Sequence, residues 1–238
     1  MRLAWLLFLL PACAGPREDP EPPPPEQTPE DLRVVGDIHF LAAASATYRA
    51  LITIESSSME ELLDAENRLP EDVRARVAVH ASAGQQIADM WLEQEPDNAE
   101  AHLLATSLLG FEGIAKGKLS AFLEGIPNRM TRACAKLIEL DETVRSAGPL
   151  QVQGRFRTIV PFPYRQLDTA IRSLERARGI APVKQTLYFL GDAYAWKGRM
   201  GEAERTWRAA LVAPSSERTE KLAGYIDQLV EQRLAMLK

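Results

Sequence analysis

The chain has 238 residues, with 33 acidic and 28 basic side chains and a net charge of −5 at neutral pH. This mildly acidic balance argues against non-specific nucleic-acid binding, which needs clustered Lys and Arg. Cys13 and Cys134 are the only cysteines, so no intramolecular disulfide can form unless Cys13 stays free.

The first residues have the features of an export signal. Arg2 supplies a positive charge, and Leu3 to Leu10 form an apolar run of eight residues. A membrane-spanning helix needs about 20 apolar residues, so this run is too short to remain as a span. The stretch Leu10-Pro11-Ala12-Cys13 resembles the lipobox of bacterial lipoproteins. The resemblance implies a signal peptide over 1–12 and a lipid on Cys13; the alternative is an ordinary signal cut after Ala14.

A proline-rich segment follows the cysteine. Residues 14–30 contain seven prolines, with PEPPPPE at their centre. Proline fixes φ and removes backbone donors, so this run favours extended polyproline II structure. We therefore expect 13–30 to be a lipidated tether that holds the domain over 31–238 away from a membrane. The alternative is a disordered leader without a spacing role.

The remainder of the chain has a helical pattern. Ala, Leu, Glu and Arg dominate, and no stretch alternates apolar and polar residues as a half-buried strand does. Ser58 and Glu61 have the spacing of a capping box, and Pro70 can begin a helix. The predicted helices cover approximately 31–54, 59–68, 71–94, 98–116, 128–143, 148–159, 165–179, 184–197, 201–213 and 216–236.

One helix pair carries the spacing of a known repeat. Leu187, Leu190, Gly191 and Tyr194 precede Ala203, Trp207, Ala210 and Pro214 at the offsets of the tetratricopeptide repeat. Gly191 costs about 1 kcal/mol in a helix interior, which is explained if a second helix must approach closely there. The chain therefore resembles this repeat family, which implies antiparallel helix pairs.

Weaker copies of the pattern lie upstream. Ala170, Leu174, Ala177 and Pro182 repeat the second-helix spacing, and Gly154 is a candidate for the small residue of its partner. A helix pair cannot bury its apolar face alone, so the pairs are expected to stack. The predicted fold is an all-α, tetratricopeptide-like solenoid of antiparallel helix pairs, closed by an amphipathic capping helix near the C-terminus.

A more specific resemblance covers about residues 85–215. The lipobox, the junction EPDNAEAHLLA and the closing EAERTWRAAL, together with the connector from Ala147-Gly148-Pro149 to Arg155, resemble the TatT lipoproteins. These are tetratricopeptide-type T components associated with TRAP transporters, which import organic acids with a periplasmic solute-binding protein. The resemblance implies a helical periplasmic protein that works beside such a binding protein. Residues 31–84 carry no pattern of this family.

Candidate binding residues lie on the first helices of two pairs. In tetratricopeptide folds these helices line the concave face. Gln185, Tyr188, Asp192 and Trp196 share one side of the 184–197 helix, apart from the Leu187 side; Gln151 and Arg155 are the corresponding pair on the helix before. Aromatic, amide and carboxylate groups suit a peptide or a small organic ligand, and an Arg suits an anion. The alternative is that Tyr188 and Trp196 pack against neighbouring helices.

No catalytic motif is present. His39, His80 and His102 form no short metal-ligand set, and Gly117-Lys118 is followed by Leu119 where a phosphate loop needs Ser or Thr. We therefore expect neither an enzyme nor a resident cofactor or metal.

Three functions remain from the sequence. The first is an accessory lipoprotein of a TRAP-type uptake system that docks a solute-binding protein and an organic ligand. The second is a scaffold for outer-membrane or pilus assembly; the third is an enzyme. Ala14 stands where Asp commonly retains lipoproteins at the inner membrane, so we expect the periplasmic face of the outer membrane. A repeat surface also allows a homo-oligomer.

Overall fold

The computed structural model describes residues 27–237, which form helices and no strand. The predicted all-α fold of packed helices is confirmed. The signal peptide, Cys13 and most of the predicted tether lie outside the described residues. The α-helices are α1 (Pro29–Thr53), α2 (Met59–Leu63), α3 (Glu71–Gln94), α4 (Ala99–Leu123), α5 (Ile126–Asp141), α6 (Val144–Ile159), α7 (Leu167–Ile180), α8 (Lys184–Trp196), α9 (Met200–Val212) and α10 (Ala223–Ala235), with 3₁₀ turns at Ala65–Arg68 and Glu217–Leu222.

Side-chain caps fix several helix starts. Thr28 and Asp31 form a full capping box at the start of α1. At α2 the predicted box is only half formed. Ser58 Oγ accepts from the Glu61 backbone N–H at 3.2 Å, but the Glu61 carboxylate accepts from the Ser57 backbone at 2.7 Å instead. The reciprocal bond has therefore moved by one residue.

Four helices differ from their predicted spans. The predicted 59–68 helix is divided into α2 and the 3₁₀ turn at Ala65–Arg68. Helix α4 does not end at residue 116; it continues to Leu123 through a bend at Gly117, whose φ of 75° suits glycine. Helix α6 begins with a left-handed turn, since residues 145–147 have φ between 51° and 61°, and regular helix starts at the predicted Gly148. The predicted 216–236 helix is divided into a 3₁₀ turn and α10.

The helix pairs approach closely at glycines, as the repeat pattern predicted. A Cβ on Gly191 would lie 2.3 Å from the indole of Trp207, and one on Gly154 would lie 2.4 Å from Leu174 Cγ. The pairs α8/α9 and α6/α7 are therefore built in the same way. Gly36 repeats the arrangement against Leu104 of α4, in the region that carried no repeat pattern.

The C-terminal helix contacts the N-terminal helix. Besides covering α9, α10 packs on α1. Arg49 Nη2 donates to the Tyr225 hydroxyl at 3.1 Å, and Gln232 Nε2 donates to the Ile52 carbonyl at 2.7 Å. One interior space is lined by α1, α4, α5, α6 and α8 and by the two 3₁₀ turns.

None of the helices within residues 27–237 combines the length and apolar character that crossing a bilayer requires.

Candidate ligand-binding site

Two of the predicted binding residues meet in a buried ion network. Arg155 Nη1 donates to Asp192 Oδ2 at 2.7 Å, and Arg155 Nε donates to Glu66 Oε1 at 3.1 Å. Arg233 of α10 donates to both oxygens of Asp192, at 2.5 and 3.0 Å. It also donates to the Tyr188 hydroxyl at 3.0 Å. Two guanidinium groups and two carboxylates give this buried network no net charge.

Asp192 is the centre of the network. Its carboxylate has no solvent exposure, and the indole Nε1 of Trp207 adds a further hydrogen bond at 3.2 Å. Burial opposes the charged form of Arg155, but the adjacent Glu66, Tyr188 and Asp192 outweigh it and hold the pKa of Arg155 well above its usual value. Arg155 is therefore charged in the interior at neutral pH.

The predicted binding side of α8 is a second packing side. Every residue from Lys184 to Ala195 is buried, because α6, α10 and α2 cover the part of α8 that α7 and α9 leave free. Tyr188 is fully buried, and its pKa is raised to about 12, mainly because of burial. The expectation of an open polar side on this helix is wrong for Tyr188 and Asp192, and the packing alternative is correct for Tyr188.

The other predicted residues have different environments. Gln185 Nε2 donates to the Tyr48 hydroxyl at 2.9 Å, and Gln151 Nε2 donates to the Ser146 carbonyl at 2.7 Å. Trp196 is half-buried, with the Arg165 guanidinium 4.1 Å from the centre of its ring. Gln151, Arg155 and Gln185 line an interior cavity, whereas Tyr188, Asp192 and Trp196 do not.

The cavity has a volume of about 200 Å³ and opens to solvent on one side. Its wall is mostly apolar and aromatic, with a few polar and charged side chains. Such a wall is typical of sites for small organic ligands. Representative apolar residues are Phe40, Leu103, Phe111, Ile126, Met130 and Phe189.

Four large, exposed apolar side chains lie in or directly beside segments that line the cavity. The segment 118–124 lies between Gly117 and Gly125, both at positive φ, and Ala121 and Phe122 of this segment line the cavity. Leu119 and Leu123 are 72% and 74% exposed, and Phe162 is 89% exposed beside the lining residue Pro161. We call Leu119, Phe122, Leu123 and Phe162 the mouth patch.

Arg218 is the unusual charged group of the cavity wall. Its side chain is nine-tenths buried, and its Nη2 and Nε atoms have no hydrogen-bond partner. Phe40 lies beneath the guanidinium, 3.8 Å from ring centre to Cζ. Burial lowers the pKa of Arg218 to about 10, although Asp37 acts in the opposite direction. The group therefore remains a cation at neutral pH; Asp37 Oδ1 forms an ion pair 3.3 Å from Nε, and Nη2 has no acceptor in the described chain.

Open acceptors lie in another part of the same wall. Glu66 Oε2 and Gln185 Oε1 are buried without hydrogen-bond donors. Gln185 contacts Tyr48 of α1, while Arg218 contacts Phe40, eight residues earlier on that helix. Eight residues of α-helix correspond to about 12 Å. The cavity thus has a donor pole at Arg218 and an acceptor pole at Glu66 and Gln185.

Sequence reasoning missed Arg218, Glu66 and Arg233. Arg233 follows Ile226, Leu229 and Val230 on the apolar side of α10, and a charge in that register was an available signal. Glu66 and Arg218 lie in 3₁₀ turns, whose orientation no helical pattern predicts.

Two of the three histidines come together. His39 and His80, from α1 and α3, place their Nδ1 atoms 3.3 Å apart. No group of three or more His, Cys, Asp or Glu residues in the described range could hold a metal ion. Cys134 is buried, and burial raises its thiol pKa to about 12.

Comparison with family models and with curated proteins finds no match for this chain.

Proposed function

We propose that this protein is a non-catalytic, exported lipoprotein that holds a small organic molecule in its cavity and docks a solute-binding protein. In this proposal it is an accessory component of a TRAP-type uptake system, anchored by lipid on Cys13 at the periplasmic face of the outer membrane. The cavity is the observation that carries the ligand-holding part. The resemblance to TatT lipoproteins supports the transport part.

The cavity favours binding over catalysis. Its volume and its apolar wall suit capture of an organic molecule. The charged groups of the wall are mostly committed to structure: Arg155 to Glu66 and Asp192, and Lys118 to Asp64 at 3.0 Å. A general base or nucleophile would need a free, correctly placed side chain near the substrate. The lining instead offers one guanidinium with an open Nη2 donor and two open acceptor oxygens.

The mouth patch supports docking of a protein partner. Single exposed apolar residues are common, but here Phe122 lines the cavity, and Leu119, Leu123 and Phe162 are each next in sequence to a lining residue. Such a concentration of exposed apolar side chains is a feature of interaction sites. A partner seated there would cover the opening, so a ligand could pass between the two proteins without crossing open solvent. This arrangement is what an accessory component beside a solute-binding protein requires.

Site-specific photocrosslinking in the native cell tests the docking. A photoreactive phenylalanine replaces Phe162 of the mouth patch, and Val212, 87% exposed and outside the cavity wall, is the matched control. We expect the Phe162 variant, but not the Val212 variant, to capture a periplasmic solute-binding protein. Capture of barrel-assembly or pilus proteins alone, or equal capture from both positions, would overturn the docking proposal in favour of an assembly scaffold.

Metabolic labelling with a radioactive fatty acid tests the anchor separately. We expect label in the native protein and none in Cys13→Ala, because the diacylglycerol is attached through that thiol. Equal label in the two proteins would disprove the lipid anchor. Stable membrane attachment needs two or more acyl chains, so fractionation of the two proteins is a second readout.

A further inference from the structure

Cationic side chains outnumber acidic ones in the cavity wall. Lys118, Arg145, Arg155 and Arg218 line it, and Glu66 is the acidic lining residue. Three of these cations have carboxylates at hydrogen-bond distance; Arg145, for example, contacts Glu100 at 2.5 Å. Arg218 differs in geometry rather than in distance: Asp37 Oδ1 forms an ion pair 3.3 Å from Nε, but neither Nε nor Nη2 makes a hydrogen bond.

The carboxylate near Arg218 is shared among three arginines. Asp37 lies 3.6 Å from Arg145 and 3.7 Å from Arg33 as well as 3.3 Å from Arg218. Arg33 and Arg145 also pair with Glu30 and Glu100, so Asp37 is a secondary partner for both, and the open group of the cluster is Nη2 of Arg218. Arg218 Nη1 reaches only Ser107 Oγ, at 3.5 Å, and Nη2 reaches nothing. The terminal nitrogens of a guanidinium form a planar fork that matches the two oxygens of a carboxylate.

We infer that the cavity binds a monocarboxylate with an apolar body, and that the Arg218 guanidinium holds the carboxylate group. This inference names the ligand class and rests on the ligand-holding part of the proposed function. Binding would supply the acceptor that the buried cation lacks, and the apolar wall would remove the ligand body from water.

The cavity volume limits the size of the ligand. A protein cavity of about 150 Å³ can hold benzene. At about 200 Å³, this cavity accommodates a body somewhat larger than one aromatic ring, on the order of a short acyl chain. Octanoate is a suitable probe of this size and charge.

The acceptor pole excludes a second carboxylate. Glu66 Oε2 and Gln185 Oε1 are acceptors, so a second carboxylate at that end would lie beside a like charge and a carbonyl oxygen. Arg155 is nearby, but its Nε and both Nη atoms already donate to Glu66 and Asp192. An uncharged ligand end avoids this repulsion. Octanoate, which ends in a methyl group, should therefore bind better than the eight-carbon dicarboxylate suberate.

Calorimetric titration of the purified, delipidated full chain tests the inference with octanoate, octanol and suberate. We expect octanoate to bind at least tenfold more tightly than either of the others. In Arg218→Met, octanoate affinity should fall about tenfold to a hundredfold, the range expected for a charge-assisted hydrogen bond, while octanol affinity is unchanged. Arg208→Met is the control, because this exposed arginine pairs only with Glu204 on the surface of α9.

A second variant separates charge from geometry. Arg218→Lys keeps a cation but loses the planar fork, and we expect intermediate octanoate affinity with unchanged circular dichroism. Octanol binding as tightly as octanoate, or full octanoate affinity in Arg218→Met, would overturn the carboxylate assignment while leaving the ligand-holding function intact. Inorganic phosphate competing as well as octanoate would show a simple anion site and overturn it too.

Absence of binding by all three probes would overturn both the ligand class and the ligand-holding function. Capture of a solute-binding protein through Phe162 does not depend on these titrations, so the docking part of the proposed function would still be judged by its own result.

Discussion

Two groups of buried arginines in this protein have opposite surroundings. Arg155 and Arg233 lie beside α8, where the carboxylates of Glu66 and Asp192 accept their hydrogen bonds. Arg218 lies across the cavity with two nitrogens unpartnered. The neighbouring charges raise the pKa of Arg155 and Arg233 in spite of burial, whereas burial lowers that of Arg218.

This difference in surroundings indicates a structural role for Arg155 and Arg233 and a binding role for Arg218. Breaking a closed network exposes the remaining charges to a low-dielectric interior, so its members are needed for folding. An open cation is costly in the empty protein and becomes favourable only when a ligand supplies the anion. Folding stability and ligand affinity should therefore respond to different arginines.

The largest effect is expected at the centre of the network. Asp192→Asn leaves Arg155 and Arg233 buried without a shared carboxylate and should cost about 3–5 kcal/mol of unfolding free energy. Urea denaturation followed by circular dichroism measures it. Asp168→Asn is the control, since Asp168 is exposed and pairs with Lys197 on the surface, where solvent screening leaves an ion pair with little effect on stability. Similar losses in both variants would show that the network is not the structural centre.

The next effect concerns close approach within the α8/α9 pair. Gly191→Ala would place a methyl group 2.3 Å from Trp207, whose indole is fixed by its bond to Asp192. We expect a loss of about 1–3 kcal/mol from overpacking. Gly224→Ala, where no heavy atom lies within 4 Å, should instead be neutral or stabilising by up to about 1 kcal/mol. A neutral Gly191→Ala would contradict the helix-pair packing described here.

Removal of the open cation should affect stability much less. Arg218→Met discards a buried charge that has no hydrogen-bond partner at Nη2, and it keeps an apolar stem against Phe40. The unfolding free energy of the ligand-free protein should stay within about 1 kcal/mol of the native value, or rise. A loss as large as that of Asp192→Asn would mean that Arg218 is structural.

The smallest effect involves the histidine pair between α1 and α3. Burial, followed by the charge of His80, lowers the pKa of His39. Because the folded-state pKa is lowered, the unfolded chain binds more protons than the folded protein below about pH 6.5. The contribution of His39 to the free energy of unfolding is therefore full above that pH and is lost as the pH falls through the folded-state pKa. The melting temperature should therefore drop between pH 7.5 and 5, and His39→Gln should reduce this slope. An equal slope in that variant would assign the pH dependence to other groups.

The sequence predicted the fold far better than the site, for a physical reason. Gly191, Trp207 and Pro214 lie within one local unit, so their spacing was sufficient to predict the α8/α9 pair. The contacts that decide the site are long-range: Asp192 meets Arg233 across 41 residues, and Glu66 meets Arg155 across 89. These contacts depend on how helices and turns that are distant in sequence pack together, which no local pattern specifies.

The candidate residues illustrate the same limit. Gln151, Arg155 and Gln185 were placed on the correct helices and do line the cavity, since helical periodicity determines which residues share a side. Tyr188 and Asp192 share the Gln185 side of α8, but α10 covers them. Arg218 lies in the 3₁₀ turn Glu217–Leu222, so α-helical periodicity did not indicate which way its side chain points.

A crystal structure with 8-bromooctanoate bound tests the central claim most directly. The account predicts carboxylate oxygens about 3 Å from the terminal nitrogens of Arg218, and an anomalous bromine peak among the apolar side chains of the cavity. It also predicts that the Arg155–Asp192–Arg233 contacts are unchanged. A carboxylate on any other cation, or bromine outside the cavity, would contradict it.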